Sequence, residues 1–296
     1  MTNKPVFKGI ATAMITPFKN GKIDFDAFGK FIDFQINEGI DALVVCGTTG
    51  EAATLDDSEH KKAIEFVCEY TSHRVPVIAG TGSNDTAYSI SLSRFACEAG
   101  ADALLCVTPY YNKTTQRGLI RHFETIADAV EKPVILYNVP SRTGLNIEPQ
   151  TYAVLAKHPN ITGIKEANGN ITKIAETVAL VGNDIDLYSG NDEQIVPIMG
   201  LGGIGGISVV SNILPAKTAK ICSRFFAGDT SESLAIQLEL MDLINALFCE
   251  VNPIPVKAAC SAMGLCENSL RLPLVEMEPE HEQKLIELMR AQGLNV

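Results

Sequence analysis

A single lysine ends an apolar run in the stretch ITGIKEANGN, residues 161–170. Lys165 is either a strand-terminal residue whose stem lies along apolar neighbours while its ammonium reaches water, or a nucleophilic amine. Burial among apolar side chains penalises the ammonium form, and an amine without its extra proton can form a Schiff base with a ketone. Taken alone, the stretch favours the first interpretation.

Two threonines and three tyrosines stand at the ends of neighbouring apolar runs: Thr48 and Thr49 in GTTGE, Tyr110 and Tyr111 in TPYYN, and Tyr137 in LYNVPSRTG. Schiff-base chemistry moves protons on and off oxygen and carbon several times. Hydroxyls in a hydrogen-bonded chain can do this without a permanent charge beside the imine. Their presence favours the nucleophilic interpretation of Lys165, although GTTGE is also ordinary turn and helix-cap chemistry and TPYYN could be surface packing or an interface.

The glycine-rich stretch GLGGIGGIS at 200–208 has two interpretations of equal weight. It can bind phosphate, as loops near the last strands of a barrel often do, or it can allow close backbone approach to a ligand or tight packing.

A metal site is not expected, because none of the five histidines, at 60, 73, 122, 158 and 281, stands at a strand end. Glu166 and Asp192 are weak evidence for magnesium.

Eight short apolar runs alternate with loops and amphipathic segments, at 9–18, 41–47, 75–82, 101–110, 132–140, 161–167, 185–192 and 203–210. Such continuous hydrophobicity is typical of strands covered on both faces. Strand–helix alternation indicates parallel pairing, and eight units predict an α/β fold, a closed (β/α)8 TIM barrel. A doubly wound open sheet is the alternative, disfavoured by the number of units and by the lack of GxGxxG after the first run. In a barrel, the carboxyl ends of the strands share one cavity.

Amphipathic segments predict helices at 28–36, 58–70, 84–99, 115–130, 149–157 and 170–181, and only a brief helix between the last two strands. Ser58 is predicted to be the N-cap of the second helix. From about residue 212 onward the pattern is helical, with one helix beginning near Pro279 and ending before Gly293. The chain therefore divides into a barrel domain, 1–227, and a C-terminal helical extension, 228–296, packed on the barrel.

The overall composition indicates a globular chain that handles small molecules. Its 296 residues are 46% apolar and carry a net charge of -11, which disfavours nucleic acid and a basic membrane-binding face. The N-terminal sequence lacks the pattern of a signal peptide, and no apolar run approaches a membrane span. Eight scattered cysteines without a C-x-x-C pair predict reduced, mostly buried thiols in a cytoplasmic protein.

Five motifs carry a resemblance to a known family: GTTGE (47–51), TPYYN (108–112), YNVPSRTG (137–144), GIKEA (163–167) and GGISV (205–209). In order and spacing they resemble the dihydrodipicolinate synthase family, within the class I pyruvate-dependent aldolases, over essentially the whole chain. The resemblance implies condensation of pyruvate with L-aspartate 4-semialdehyde in the diaminopimelate branch of lysine biosynthesis. It implies no cofactor.

The resemblance also implies roles for individual residues. Lys165 would attack the keto carbon of pyruvate, and Thr48 and Thr49 would hold the pyruvate carboxylate. Tyr137 would be the general acid/base, with Thr49 and Tyr111 completing a proton relay. In relatives the residue that matches Tyr111 reaches in from a neighbouring subunit, so a homo-oligomer, a dimer of dimers, is implied.

Further residues are implied on the substrate side. Arg142 would meet the carboxylate of aspartate semialdehyde, the backbone at Ile207 would lie against pyruvate, and Gly190 would line the substrate site. The form SRTG after YN-x-P separates the synthases from the alternatives, the sugar-acid and N-acetylneuraminate-type aldolases. An alternative of another class is a barrel that binds keto acids without turnover.

A candidate allosteric lysine site is implied at the subunit interface. His60, Asn84 and Tyr110 match its usual residues. Tyr88 stands where lysine-inhibited relatives carry a glutamate, and Asp57 also differs from the common pattern. We therefore expect weak or absent inhibition by lysine.

Overall fold

The eight predicted strands close into a parallel barrel in the computed structural model, which describes residues 4–296. Each strand pairs with the next along the chain and β8 pairs with β1. This confirms the predicted fold and excludes the open sheet. The strands are β1 Gly9–Ala13, β2 Ala42–Val45, β3 Val77–Gly80, β4 Ala103–Val107, β5 Val134–Asn138, β6 Ile161–Glu166, β7 Asp186–Ser189 and β8 Gly205–Ser208.

The interior of the barrel is packed with side chains from alternate strand positions. Ala11, Val44, Ile78 and Ile135 belong to this inner cluster, while the other face of each strand packs against helices. Phe7, which precedes β1, also lies inside, with its ring stacked on Tyr188 at a centroid distance of 4.3 Å. Because Phe7 fills the interior from the amino-terminal side, the carboxyl ends of the strands are left to form a site.

Helices connect the strands as the alternating pattern predicts. The α-helix between β7 and β8 is only six residues long, as expected, whereas the short helix after β5 was not anticipated. A two-stranded hairpin, Phe18–Lys19 with Lys22–Ile23, follows β1 and was also missed. The helices are α1 Phe25–Asn37, α2 Asp57–Thr71, α3 Thr86–Glu98, α4 Gln116–Asp128, α5 Pro140–Thr143, α6 Pro149–Leu155, α7 Ile171–Val181, α8 Ile195–Gly200 and α9 Pro215–Phe226.

The N-cap of α2 is Asp56, so the prediction of Ser58 was wrong. A carboxylate oxygen of Asp56 accepts a hydrogen bond from the Glu59 backbone N–H at 2.8 Å, and the Glu59 carboxylate accepts one from the Asp56 N–H at 3.3 Å. This reciprocal capping box satisfies two free N–H groups, which Ser58 could not do from inside the first turn.

The C-terminal part of the chain is helical, and residues 209–296 contain no strand. Its helices are α10 Thr230–Glu239, α11 Met241–Leu247, α12 Ile254–Ala262 and α13 Pro279–Ala291. The turn between α9 and α10 coincides with the predicted boundary at 227/228, and the division into two domains stays a prediction. No helix within residues 4–296 combines the length and apolar character needed to cross a membrane.

Candidate active site

Lys165 points into the barrel from the carboxyl-terminal end of β6. Its side chain is buried, with 6% of the residue exposed, and its Nζ lies 4.1 Å from the centroid of the Tyr137 ring. The two residues are direct neighbours in the register of β5 and β6, and Tyr188 is the neighbour on β7. The structure therefore excludes the interpretation in which the ammonium reaches water.

Glu166, the next residue, points to the opposite face of the wall and is held there by three donors. Its carboxylate accepts hydrogen bonds from Asn138 Nδ2 at 2.9 Å, the Tyr152 hydroxyl at 3.0 Å and the Asn168 backbone N–H at 2.9 Å. Since side chains alternate along a strand, anchoring Glu166 outside directs Lys165 inside. Burial raises the pKa of the Glu166 carboxyl to about 7.

Glu166→Gln will reduce the loss of stability on going from pH 5 to pH 8. The folded carboxyl has a pKa of about 7 and its ordinary value is 4.5, so between these values the unfolded chain has released a proton that the folded protein keeps. Raising the pH therefore destabilises the wild-type protein, by about 3 kcal/mol from this group. Denaturant unfolding at several pH values should show that the free energy of unfolding falls less steeply with rising pH in the variant. The same dependence on pH in Glu166→Gln and wild type would contradict this. Glu65→Gln, at an exposed position, serves as the control.

Thr48 and Thr49 lie in the loop that follows β2. The chain turns sharply there, since Cys46 has a φ of 55° and Glu51 a φ of 53°. Thr49 is buried, and its hydroxyl oxygen accepts a hydrogen bond from Asn252 Nδ2 at 3.0 Å. Thr48 faces a cavity instead.

That cavity has a volume of about 490 Å³ and opens beside the barrel mouth. It is lined by six of the residues singled out above: Thr48, Tyr137, Arg142, His60, Tyr88 and Tyr110. Three residues predicted for the active site thus share one space with three predicted for the lysine site. Lys165, Thr49, Ile207 and Gly190 are not among the residues that line it. Its volume suits a small organic acid.

Arg142 lies on the short helix α5, with one face towards the cavity. Its Nη2 donates a hydrogen bond to the backbone oxygen of Asn252 at 2.9 Å. This bond fixes one nitrogen of the guanidinium and leaves the rest available for a carboxylate.

Tyr111 is placed differently from the other predicted residues. It is 93% exposed, has a φ of 65° and does not line the cavity of its own chain. A hydrogen bond from Asn112 Nδ2 to the backbone oxygen of Asn84, at 2.9 Å, ties its loop to the start of α3. Asn84 therefore supports the tyrosine loop through its backbone, while its side chain is not among those lining the cavity.

His60 is buried in the outer part of the cavity. Its Nε2 lies 2.8 Å from the backbone oxygen of Gly80, and burial lowers the pKa of its imidazole. The Tyr88 hydroxyl has its pKa raised by burial and by the nearby Asp57 carboxylate, which is itself paired with Lys61 at 2.8 Å.

Two predicted positions on the last strands serve close packing. Ile207 is buried on the inner face of β8, in the same cluster as Tyr137. A Cβ at Gly190 would lie 2.8 Å from Ala167 Cβ and 3.0 Å from the Glu166 oxygen. In the glycine-rich stretch, a Cβ at Gly205 would overlap the Gly9 carbonyl of β1, so this glycine is required where β8 packs against β1.

The two carboxylates considered for magnesium, those of Glu166 and Asp192, each accept hydrogen bonds from protein donors, and Asp192 Oδ1 alone has no partner within the described residues. Asp192 is buried and accepts hydrogen bonds from the backbone N–H groups of Val209 at 2.9 Å and Val210 at 2.8 Å. Within residues 4–296, no group of three or more histidine, cysteine, aspartate or glutamate side chains is arranged to hold a metal ion.

The sequence prediction missed the contribution of the C-terminal extension. Asn252 reaches Thr49 and Arg142, and Lys257 forms a buried ion pair with Glu51 of the GTTGE motif. These partners are separated by more than one hundred residues, and no periodicity or motif in the extension signalled the contacts.

The fold and the site define a parallel α/β barrel with a buried amine beside a tyrosine at its carboxyl-terminal mouth. A model of the dihydrodipicolinate synthetase family matches residues 6–292. The 4-hydroxy-tetrahydrodipicolinate synthase of Acetivibrio thermocellus is 51% identical, with 98% of this chain and 99% of that protein covered. The chain belongs to the dihydrodipicolinate synthetase family.

Solved structures agree with this assignment. Dihydrodipicolinate synthase from Aquifex aeolicus is 45% identical, with a TM-score of 0.96 and coverage of 97% of this chain and 99% of that one. A monomeric dihydrodipicolinate synthase variant is 41% identical, with a TM-score of 0.96 and coverage of 98% of both chains.

Proposed function

We propose that this chain condenses pyruvate with L-aspartate 4-semialdehyde to give 4-hydroxy-tetrahydrodipicolinate, in the diaminopimelate branch of lysine biosynthesis. Family membership and a relative of that name at 51% identity support this activity. The observation that carries it is the buried Lys165 amine 4.1 Å from the centre of the Tyr137 ring. The amine is thus held inside the barrel next to a tyrosine, and an unprotonated amine is the form that attacks a keto carbon.

The reaction begins when Lys165 Nζ bonds to the keto carbon of pyruvate and water leaves, forming an imine. Loss of a methyl proton converts the imine to an enamine, whose carbon attacks the aldehyde of the second substrate. The amine of that substrate then displaces Lys165 and closes the ring, which frees the enzyme. These steps need no cofactor, because the protonated imine itself accepts the electron pair that remains when the methyl proton leaves.

The remaining residues hold the substrates and move the protons. The turn at Thr48 and Thr49 binds the pyruvate carboxylate through its backbone N–H groups, and Arg142 binds the carboxylate of the semialdehyde. Tyr137 is the general acid/base, linked through Thr49 to Tyr111. Ile207 and Gly190 lie on the pyruvate side of the site, and the packing at Gly190 leaves no space for a Cβ.

We propose that a homo-oligomer, a dimer or a dimer of dimers, completes this site with Tyr111 of a neighbouring subunit. The exposure of Tyr111 on a bent loop outside its own cavity supports this arrangement. One solved relative is a monomeric variant, so family membership alone does not set the assembly.

Mixing two inactive variants tests the shared site. Lys165→Ala and Tyr111→Phe chains, unfolded together and refolded, should recover roughly a quarter of the wild-type activity, because half of random dimers are mixed and each has one complete site. Either variant refolded alone is the control. No recovery in a mixture shown to contain mixed dimers would contradict a shared site.

The product of the reaction separates the proposed function from its alternatives. The chain is incubated with pyruvate and L-aspartate 4-semialdehyde, and in parallel with 2-keto-3-deoxy sugar acids and N-acetylneuraminate. The proposed function requires the cyclic dicarboxylate from the first mixture and little cleavage in the others. Cleavage of a sugar acid alone would identify an aldolase, and no turnover in any mixture would identify a binding protein.

Lysine is expected to inhibit this enzyme weakly or not at all. Tyr88 replaces a carboxylate at the cavity, His60 is kept neutral by burial, and the Asp57 carboxylate is already paired with Lys61. A lysine ammonium would therefore lose water without gaining a free carboxylate. A titration of activity with lysine checks this, and half-inhibition at sub-millimolar lysine would overturn it.

We propose a cytoplasmic location for the enzyme. Its eight cysteines, all within the described residues, are free thiols, and five of them are buried: Cys46, Cys68, Cys106, Cys222 and Cys260. Free thiols in this number are typical of reducing compartments.

A further inference from the structure

Asn252 is a residue of the C-terminal extension that contacts the proposed active site. It precedes α12 and is buried, with 6% of the residue exposed at the wall of the cavity. Its side-chain Nδ2 donates to Thr49 Oγ1 at 3.0 Å, and its backbone oxygen accepts from Arg142 Nη2 at 2.9 Å. One residue therefore contacts both the threonine of the proton relay and the arginine of the second-substrate site.

We propose that Asn252 is a positioning residue that sets the direction of the hydrogen bonds in the proton relay; this rests on the proposed function. A threonine hydroxyl has one proton to donate and oxygen lone pairs that accept. Because Thr49 Oγ1 already accepts from the Asn252 amide, its own proton is directed away from the extension. The hydroxyl then donates along the relay towards the tyrosines.

The unsatisfied oxygen of the same side chain supports this role. Asn252 Oδ1 is buried and has no hydrogen-bond partner within residues 4–296. A buried polar atom without a partner is costly, so a side chain retained only for packing would be better served by an apolar group. The Asn252 amide instead contributes one hydrogen bond, which its Nδ2 donates to Thr49 Oγ1.

Asn252→Asp tests the direction of this bond with almost no change of shape. An ionised carboxylate only accepts, so Thr49 would have to donate to it and its proton would leave the relay. We expect kcat to fall about 10²-fold. The KM values for both substrates should stay within about threefold, because Arg142 is bound by the backbone oxygen, which the substitution keeps.

The pH profile provides a second readout. As the pH falls, the new carboxyl takes up a proton and can again donate to Thr49. The ratio of wild-type kcat to variant kcat should therefore fall towards one. Asn245→Asp is the matched control, since it makes the same change at an exposed position of the same extension. It should leave kcat within about twofold of wild type.

Imine formation with pyruvate alone, trapped by borohydride, is measured beside turnover. A slower trapping rate for Asn252→Asp supports the proposal. This holds even if the wild-type enzyme proves to use a second substrate other than aspartate semialdehyde, because that outcome would contradict only the proposed function. An unchanged kcat and trapping rate would overturn the role of Asn252. A second pattern would also overturn it: a higher KM for the semialdehyde, a lower melting temperature, and a kcat that does not recover at low pH. That pattern would show that Asn252 only supports the structure of the loops.

Discussion

Replacing Lys165 with methionine will lower turnover by about 10⁴-fold or more. Methionine keeps the length and apolar stem of lysine and lacks only the amine, so the barrel wall should stay packed. Without the amine no imine forms, and the methyl group of pyruvate keeps its ordinary low acidity. Steady-state rates, measured with sufficient enzyme to detect a residual activity, give the ratio directly.

The effect must come from the amine and not from lost charge. Lys173→Met, on the exposed side of α7, removes the same charge at a side chain that is 43% exposed and should leave the rate unchanged. A Lys165→Met enzyme that keeps more than about a hundredth of the wild-type rate would show that covalent chemistry at this residue is not the route.

Lys257→Met will destabilise the fold by about 3–5 kcal/mol, the usual cost of removing one partner from a buried ion pair. The side chains of Lys257 and Glu51 are both fully buried and bonded to each other. The other Glu51 oxygen accepts from the Arg271 backbone N–H at 3.1 Å. Removal of the lysine would leave a carboxylate uncompensated inside the protein, directly beside the GTTGE loop. Denaturant unfolding, monitored by circular dichroism, measures the loss.

A double variant separates the unpaired charge from lost packing. Adding Glu51→Gln to Lys257→Met removes the charge while keeping a side chain that can accept from Arg271, so the pair of changes should recover at least about half of the lost stability. A double variant less stable than Lys257→Met would show that the unpaired carboxylate is not the source of the loss. The Lys257 Nζ also lies 4.2 Å from the centroid of the Phe18 ring, a contact that both variants lack.

The barrel could be predicted because its strands are buried on both faces. Runs such as VPVIAGTG and KPVILYNVP are nearly continuous in apolar residues, and that pattern repeats eight times with helical segments between. Lys165 drew attention for the same reason, since a cation is conspicuous at the end of such a run. The family motifs then supplied roles that neither periodicity nor composition contains.

The errors have physical causes at particular residues. Both Asp56 and Ser58 are good capping residues, and only the backbone shows that Asp56 accepts from Glu59. Asn252 and Lys257 contact Thr49 and Glu51 across 203 and 206 positions of the chain. A local pattern cannot report such distant pairs, because they exist only once the extension has packed on the barrel.

Borohydride reduction in the presence of pyruvate, followed by peptide mass analysis, tests most directly whether the buried amine forms an imine. We expect one reduced pyruvate adduct for each chain, located on the peptide that contains Lys165 and not formed by the Lys165→Met variant. The absence of an adduct from an active enzyme, or its location on another lysine, would contradict the mechanism.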